Sequence, residues 1–313
     1  MLLSNKSRRL VSLSLILLCV VAIQTPAKDS DKRKRNYKGT PVMWVEPTDI
    51  ASRNLYYGAG GKEMMPDLSR VTFIKEETTG YSTKYRVKDG RGRIWVAKLG
   101  KEAQAEAVAN RLLWAVGYHT EISYLVPRVN IRGKGTFERV RFEARPSNVK
   151  RGDEWEWDNN PFAGTRPFQG LKVMMVLINN WDIKDSNNRV LFARNPRTGR
   201  DELRYIVSDL GATFGKTGSF LTRSRNKPDD YVKAEFIDEL KGRYVDFHYS
   251  GKRKSVFRNI TVAEARWMGE WLSRLSASQI KDAFRAARYS PEDVELMVEA
   301  LQIRIAELRS LPR

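Results

Sequence analysis

The sequence predicts an α+β chain in two lobes: a small antiparallel sheet carrying one helix, then a helical lobe. Three observations predict it. Residues 71–75, 84–87 and 93–98 have strand composition, are separated by turn-forming segments, and lead into a helical pattern over residues 102–116. Residues 171–178 are apolar enough for a buried helix and run into a dense polar stretch from Asn179 to Asn188. Four further runs, 231–240, 262–275, 278–287 and 291–308, read as helices. At 313 residues the chain can bury one large core or two lobes.

The chain opens with Lys6, Arg8 and Arg9, an apolar run over residues 10–23, and the exit Gln24 to Ala27. This pattern makes a secretory signal peptide over residues 1–27, with cleavage expected after Ala27. A spanning helix needs about 20 apolar residues, so an uncleaved membrane anchor is the weaker reading. Bulky Leu18 before Cys19 argues against a lipid-modified cysteine. Cys19 is the only cysteine, so the mature chain would have neither disulfides nor thiol chemistry. The expected location is exported, either periplasmic or secreted. The formal charge is +19, and removing residues 1–27 takes away three positive charges and no negative one, leaving +16. Such a surplus favours an anionic envelope surface, a polyanion or an acidic protein. The alternative is a solvated surface with no specific partner. Nucleic acid is disfavoured by the export signal and by the lack of a basic-aromatic recognition module.

Residues 28–38 have the charged, apolar-poor composition of a disordered leader. The extension to residue 70 is loop-rich, with Trp44, Tyr56 and Tyr57 as packing anchors and a glycine run at 58–61 read as a turn. The sheet lobe covers residues 71–143. Its first loop, with Gly80, Ser82 and Thr83, offers N–H groups and hydroxyls that suit phosphate, or it is an ordinary hairpin. Asp89 to Gly92 is a hairpin turn. Lys98 ends the third strand. In the helix that follows, Val108, Ala109, Leu112, Ala115 and Val116 form an apolar face, and Gly117 stops it. Glu106 sits one turn before that face, placed to pair with Lys98, and Glu102 is the competing candidate. Residues 122–126 and 136–142 are further strands.

The helical lobe, residues 144–313, starts with a polar crossing over 145–160, where Trp155 and Trp157 are read as packing. Two short strands, 189–192 and 203–207, are joined by a turn from Asn195 to Gly199. A basic stretch follows with Lys216, Arg223, Arg225 and Lys227. Thr261 and Ser290 are helix caps. His119 and His248 are too few and too isolated for a metal site or a His-based triad.

Buried carboxylates and amides are costly unless paired or bound to a cation, so the polar stretch after residue 178 needs a reason. Asp182 and Asn187 stand five apart with Lys184 between them, and Asp209-Leu210-Gly211 follows the hairpin. Asn187 and Asp209 are hard oxygen donors that suit Mg²⁺. The bland alternative is an Asx-rich surface turn followed by an ordinary Asp-Leu-Gly turn.

In order, Lys98, Glu106, Asp182, Asn187 and Asp209 resemble the protein-kinase-like superfamily, nearer to its atypical branches. Residues 80–98 resemble the phosphate loop and lysine strand of type II phosphatidylinositol kinases. Residues 106–117 resemble the glutamate helix of HipA-type serine/threonine kinases. The likeness spans residues 71–215 and implies a two-lobed protein-kinase-like fold with ATP and Mg²⁺ as cofactors. By that likeness Lys98 holds nucleotide phosphates, oriented by Glu106, with Gly80, Ser82 and Thr83 around them. Asp182 accepts the hydroxyl proton, Lys184 steadies the transferred phosphoryl group, and Asn187 and Asp209 hold the metal. The basic stretch after Gly215 takes the place of an activation or substrate segment. Asn180-Trp181 replaces the usual His-Arg, the glycine loop is reduced, and no Ala-Pro-Glu closes the segment. The acceptor, whether protein, lipid or small molecule, is not readable. A second reading is a catalytically silent kinase-like binding protein that docks on an acidic envelope partner.

Overall fold

In a computed structural model of the chain, residues 37–78 and 82–313 are described. The expected signal peptide, the leader to residue 36, and Gly80 lie outside the described residues. The first strand, β1 (Thr40–Val42), was not foreseen; it pairs in parallel with a strand much later in the chain. The expected sheet is present and goes further than expected. Strands β2 (Val71–Glu77), β3 (Lys84–Lys88), β4 (Ile94–Lys98), β5 (Ser123–Arg132) and β6 (Gly135–Ala144) close into a barrel in the order β2-β3-β4-β6-β5. The closing contact is parallel, Val71 with Ile131 and Thr72 with Arg132, so the sheet is not purely antiparallel. Closure removes the exposed edges that a three-stranded sheet would leave.

Strand alternation decides what each face of β4 does. Trp95 and Ala97 join Val87, Val129, Val140 and Phe142 in the barrel's apolar cluster. Lys98 therefore lies on the other face with Val96. That face is covered by α1 (Glu102–Ala115), which packs against β5 and β6.

A second apolar cluster holds α1 together with the later helices. The polar crossing adds a short strand, β7 (Lys150–Arg151). Then α2 (Arg166–Leu177) begins at Thr165, whose hydroxyl accepts from Phe168 N at 3.4 Å, and it is buried along most of its length. Trp155 and Trp157 pack on Phe168 of this helix, as expected of packing residues. Strands β8 (Asn188–Arg194) and β9 (Asp201–Val207) form the expected hairpin, within a sheet ordered β1-β9-β8-β7.

One element differs in kind. Residues 231–240 are not a helix: α3 (Pro228–Val232) is a single short turn of helix, and β10 (Ile237–Lys241) pairs with β11 (Tyr244–Phe247). The apolar spacing there mimics a helix. The turn at Gly242, with φ of 60°, instead lets the chain fold back as a hairpin that buries Val245 and Phe247. The last three helices are α4 (Val262–Leu272), α5 (Ala277–Ala286) and α6 (Pro291–Ser310). Thr261 and Glu264 make a reciprocal capping box, and the Ser290 hydroxyl accepts from Asp293 N at 3.1 Å, so both expected caps are formed. Gly269 lets α4 and α6 approach, since a Cβ there would lie 2.6 Å from Leu308 Cβ.

Candidate active site

Three cations lie side by side across the barrel. Lys98 of β4 is directly opposite Lys84 of β3 on one side and Arg141 of β6 on the other. Like charges in such positions repel. The row is tolerated because carboxylates surround it. Lys98 Nζ lies 2.9 Å from Glu106 Oε2, 3.1 Å from Glu102 Oε2 and 3.3 Å from Asp209 Oδ1. Both helix glutamates expected to compete for Lys98 reach it. Glu106 is the buried partner, and its Oε1 lies 2.9 Å from Arg141 Nη2, so one carboxylate bridges two cations. Arg141 also contacts Glu143 at 2.6 Å.

Burial disfavours the charge on Lys98, but Glu106 and Asp209 outweigh it and hold the proton more firmly than usual. Burial pushes the Glu106 carboxyl up against the pull of Arg141 and Lys98. Burial and the nearby Lys98 charge lower Lys84.

Asp209 ties this row to the polar loop. Gly211 N donates to Asp209 Oδ1 at 3.1 Å, and the N–H groups of Ser208 and Asp209 both donate to Asn187 O, at 2.7 and 3.1 Å. Burial would raise Asp209, but Lys98 and the Gly211 N–H bring it below the usual carboxylate range. Asn187 turns its amide nitrogen to Asp182, 2.7 Å from the backbone oxygen and 3.3 Å from Oδ2, which directs its own amide oxygen away from Asp182. Asp182 Oδ2 meets Lys184 Nζ at 2.8 Å, and Oδ1 meets Lys252 Nζ at 2.6 Å. Burial works against the Asp182 charge, and the hydrogen bonds from Lys184 and Lys252 overcome it, so this pKa too is lowered.

The remaining polar residues of the loop are framework. Asn179 takes a left-handed backbone, φ 51°, which asparagine tolerates, and its Nδ2 donates to Gly215 O at 2.8 Å. Buried Asn188 donates to Trp155 O at 2.9 Å, and Asp185 accepts from Trp157 N at 3.0 Å and pairs with Arg253. One polar stretch thus divides into residues that hold the loop and residues that it presents.

Of the expected phosphate loop, Ser82 and Thr83 are described. Ser82 Oγ donates to Glu102 Oε2 at 2.8 Å, and Thr83 meets Leu99 N through its backbone oxygen at 3.0 Å. Glu102 also pairs with Arg225 of the basic stretch, and it packs against Gly211, where a Cβ would lie 2.9 Å from Glu102 Cβ.

Sequence reasoning missed Lys84, Arg141, Glu143 and Lys252. The first three are set by strand register, and the last approaches from 70 residues away. It also placed His248 in isolation. Its Nδ1 lies 2.8 Å from Asp238 and 3.4 Å from Glu235, and the three ligand atoms fall within 4.8 Å of one another. His119 is held neutral, its pKa pushed down to about 4 by burial and then by Arg204.

No protein-family model matches the chain, and no curated protein matches it. Among solved structures, a Helicobacter pylori proinflammatory kinase, CtkA, is similar over 76% of this chain and 95% of its own length. The TM-score is 0.47 and the identity 12%. That likeness is too loose to bear on the chemistry, which rests on the side chains described above.

Proposed function

We propose that the chain is an exported, Mg²⁺- and ATP-dependent phosphotransferase with a two-lobed kinase-like fold of the atypical branch. A single observation carries the reading. A continuous chain of hydrogen bonds and ion pairs runs from Glu106 through Lys98, Asp209 and Asn187 to Asp182. An ordinary surface turn would not tie five such residues together with two of them buried.

The residues fit the cofactor. Asp209 and Asn187 supply a carboxylate held in its charged form and an amide oxygen, hard donors that suit Mg²⁺. Lys98 and Lys84 supply positive charge for phosphate oxygens. Magnesium-bound ATP supplies the electrophilic phosphoryl group. Asp182, ionised, accepts the proton of the attacking hydroxyl, and Lys184 offsets charge that builds on the transferred group. Glu106 keeps Lys98 in place, and Arg141 holds the other oxygen of Glu106.

Slow hydrolysis of ATP to water needs no knowledge of the acceptor, so it is the direct test. Asp182→Ala should lower the rate by about 10²–10⁴ in a chain that still unfolds in a cooperative thermal transition. Full activity in that variant would refute the role given to Asp182. One observation favours the second reading, a silent binding protein: both Asp182 oxygens are already held by lysine ammonium groups. Absence of any Mg²⁺-dependent turnover in the parent chain would move the assignment there.

A further inference from the structure

The basic stretch after Gly215 contains a feature that phosphoryl transfer does not use. Residues 216–224 form a closed loop: Ser224 N donates to Lys216 O at 3.0 Å, and Lys216 N donates to Ser224 Oγ at 2.9 Å. Gly215 lets the two ends meet, since a Cβ there would lie 2.5 Å from Ser224 O. The Trp181 indole N–H also donates to Ser224 O, at 2.7 Å, fixing the base of the loop beside Asp182. The tip is a turn in which Arg223 N and Thr222 N both donate to Ser219 O, at 3.0 and 3.2 Å. This ordered turn holds Phe220 and Leu221 out in solvent, at 81% and 90% exposure, the highest of the large apolar side chains described.

Cations line the loop, with Arg223 at the tip and the others at its base. Lys216 is exposed, and Arg223 lies over both the Phe220 and Trp181 rings, 5.3 and 4.2 Å from their centroids. Lys216 acts on Asp230 only through its longer-range charge, which helps to lower that carboxyl. Arg225 and Lys252 face the same Trp181 ring, at 5.1 and 5.9 Å.

We propose that this tip docks the protein on an anionic lipid surface, with Phe220 and Leu221 entering the interface and Lys216 and Arg223 meeting the headgroups. A stable protein interface needs about 800 Å² on each side. Two apolar residues flanked by Ser219 and Thr222 fall well short of that. Two apolar side chains above a basic loop base suit a weak, reversible membrane contact. The positive charge selects anionic over zwitterionic headgroups, and the closed loop keeps the entropy lost on docking small. The inference needs neither nucleotide nor Asp182, so it stands or falls apart from the phosphotransferase reading.

The test is sedimentation of the mature chain, residues 28–313, with vesicles of phosphatidylcholine alone and of phosphatidylcholine mixed with phosphatidylglycerol, without nucleotide. The mixed vesicles should bind the chain and the neutral ones should not. Phe220→Ser with Leu221→Ser should weaken binding by about tenfold or more, and Lys216→Glu with Arg223→Glu should also weaken it, more at low salt than at high salt. Both double variants should keep the parent thermal midpoint, because the altered side chains lie outside the apolar core. Equal binding to both vesicle types, or binding untouched by the Phe220 and Leu221 changes, would overturn the proposal. Failure to bind either vesicle type would do the same, as would a response to a soluble polyanion in place of vesicles.

Discussion

Arg141 is the residue on which the buried charges most depend. It touches Glu106 and Glu143, and its loss leaves two buried carboxylates short of a cation. Arg141→Met should cost about 3–5 kcal/mol in denaturant unfolding, because breaking a buried pair strands its partner's charge. Lys252 makes a different prediction. It holds Asp182 ionised together with Lys184, so Lys252→Met lets the Asp182 pKa rise. A base works only when ionised, so the acid limb of the pH–rate profile should move to higher pH, with little loss at the plateau. The stability linkage has the same sign: a carboxylate with a lowered folded pKa stabilises above its ordinary value near 4, and that contribution is lost as pH falls through the folded value. Half-buried His119 acts over another window. Its pKa is pushed down to about 4, so the unfolded chain binds the extra proton first, and stability should fall as pH drops from about 6.5 towards 4. His119→Gln should flatten that part of the curve.

At the scale of elements, what was legible is what local spacing controls. Lys98 at a strand end, Glu106 one turn into the next helix, and the caps at Thr261 and Ser290 are each fixed within a few residues. Arg141 was not legible, because its neighbour across β4 is decided by barrel register. The hairpin of β10 and β11 was misread because its apolar residues also satisfy a helical period, and only the packing of Val245 and Phe247 decides between the two. The closeness of α4 and α6 is a property of packing as well. Gly269→Val should push against Leu308 and lower stability by about 1–3 kcal/mol, read from the thermal midpoint. An unchanged midpoint would mean that the two helices can part without loss.

For the whole molecule, a basic chain brings two barrel lysines, an arginine and the loop lysines around a small set of acids. Glu102 packs α1 against Gly211 of the Asp209 turn and ties it to the loop at Ser82 and to the basic stretch at Arg225, so nucleotide binding would be felt across all of these elements. The most direct measurement is therefore a thermal-shift titration of the chain with ATP, with and without Mg²⁺. A ligand that binds only the folded state adds RT ln(1 + [L]/Kd), about 2.7 kcal/mol at a hundredfold excess over Kd. The phosphotransferase account predicts a shift that depends on Mg²⁺, weakens in Lys98→Ala and vanishes in Asp209→Ala. A shift that ignores Mg²⁺ and survives both substitutions, or no shift at millimolar nucleotide, would contradict it.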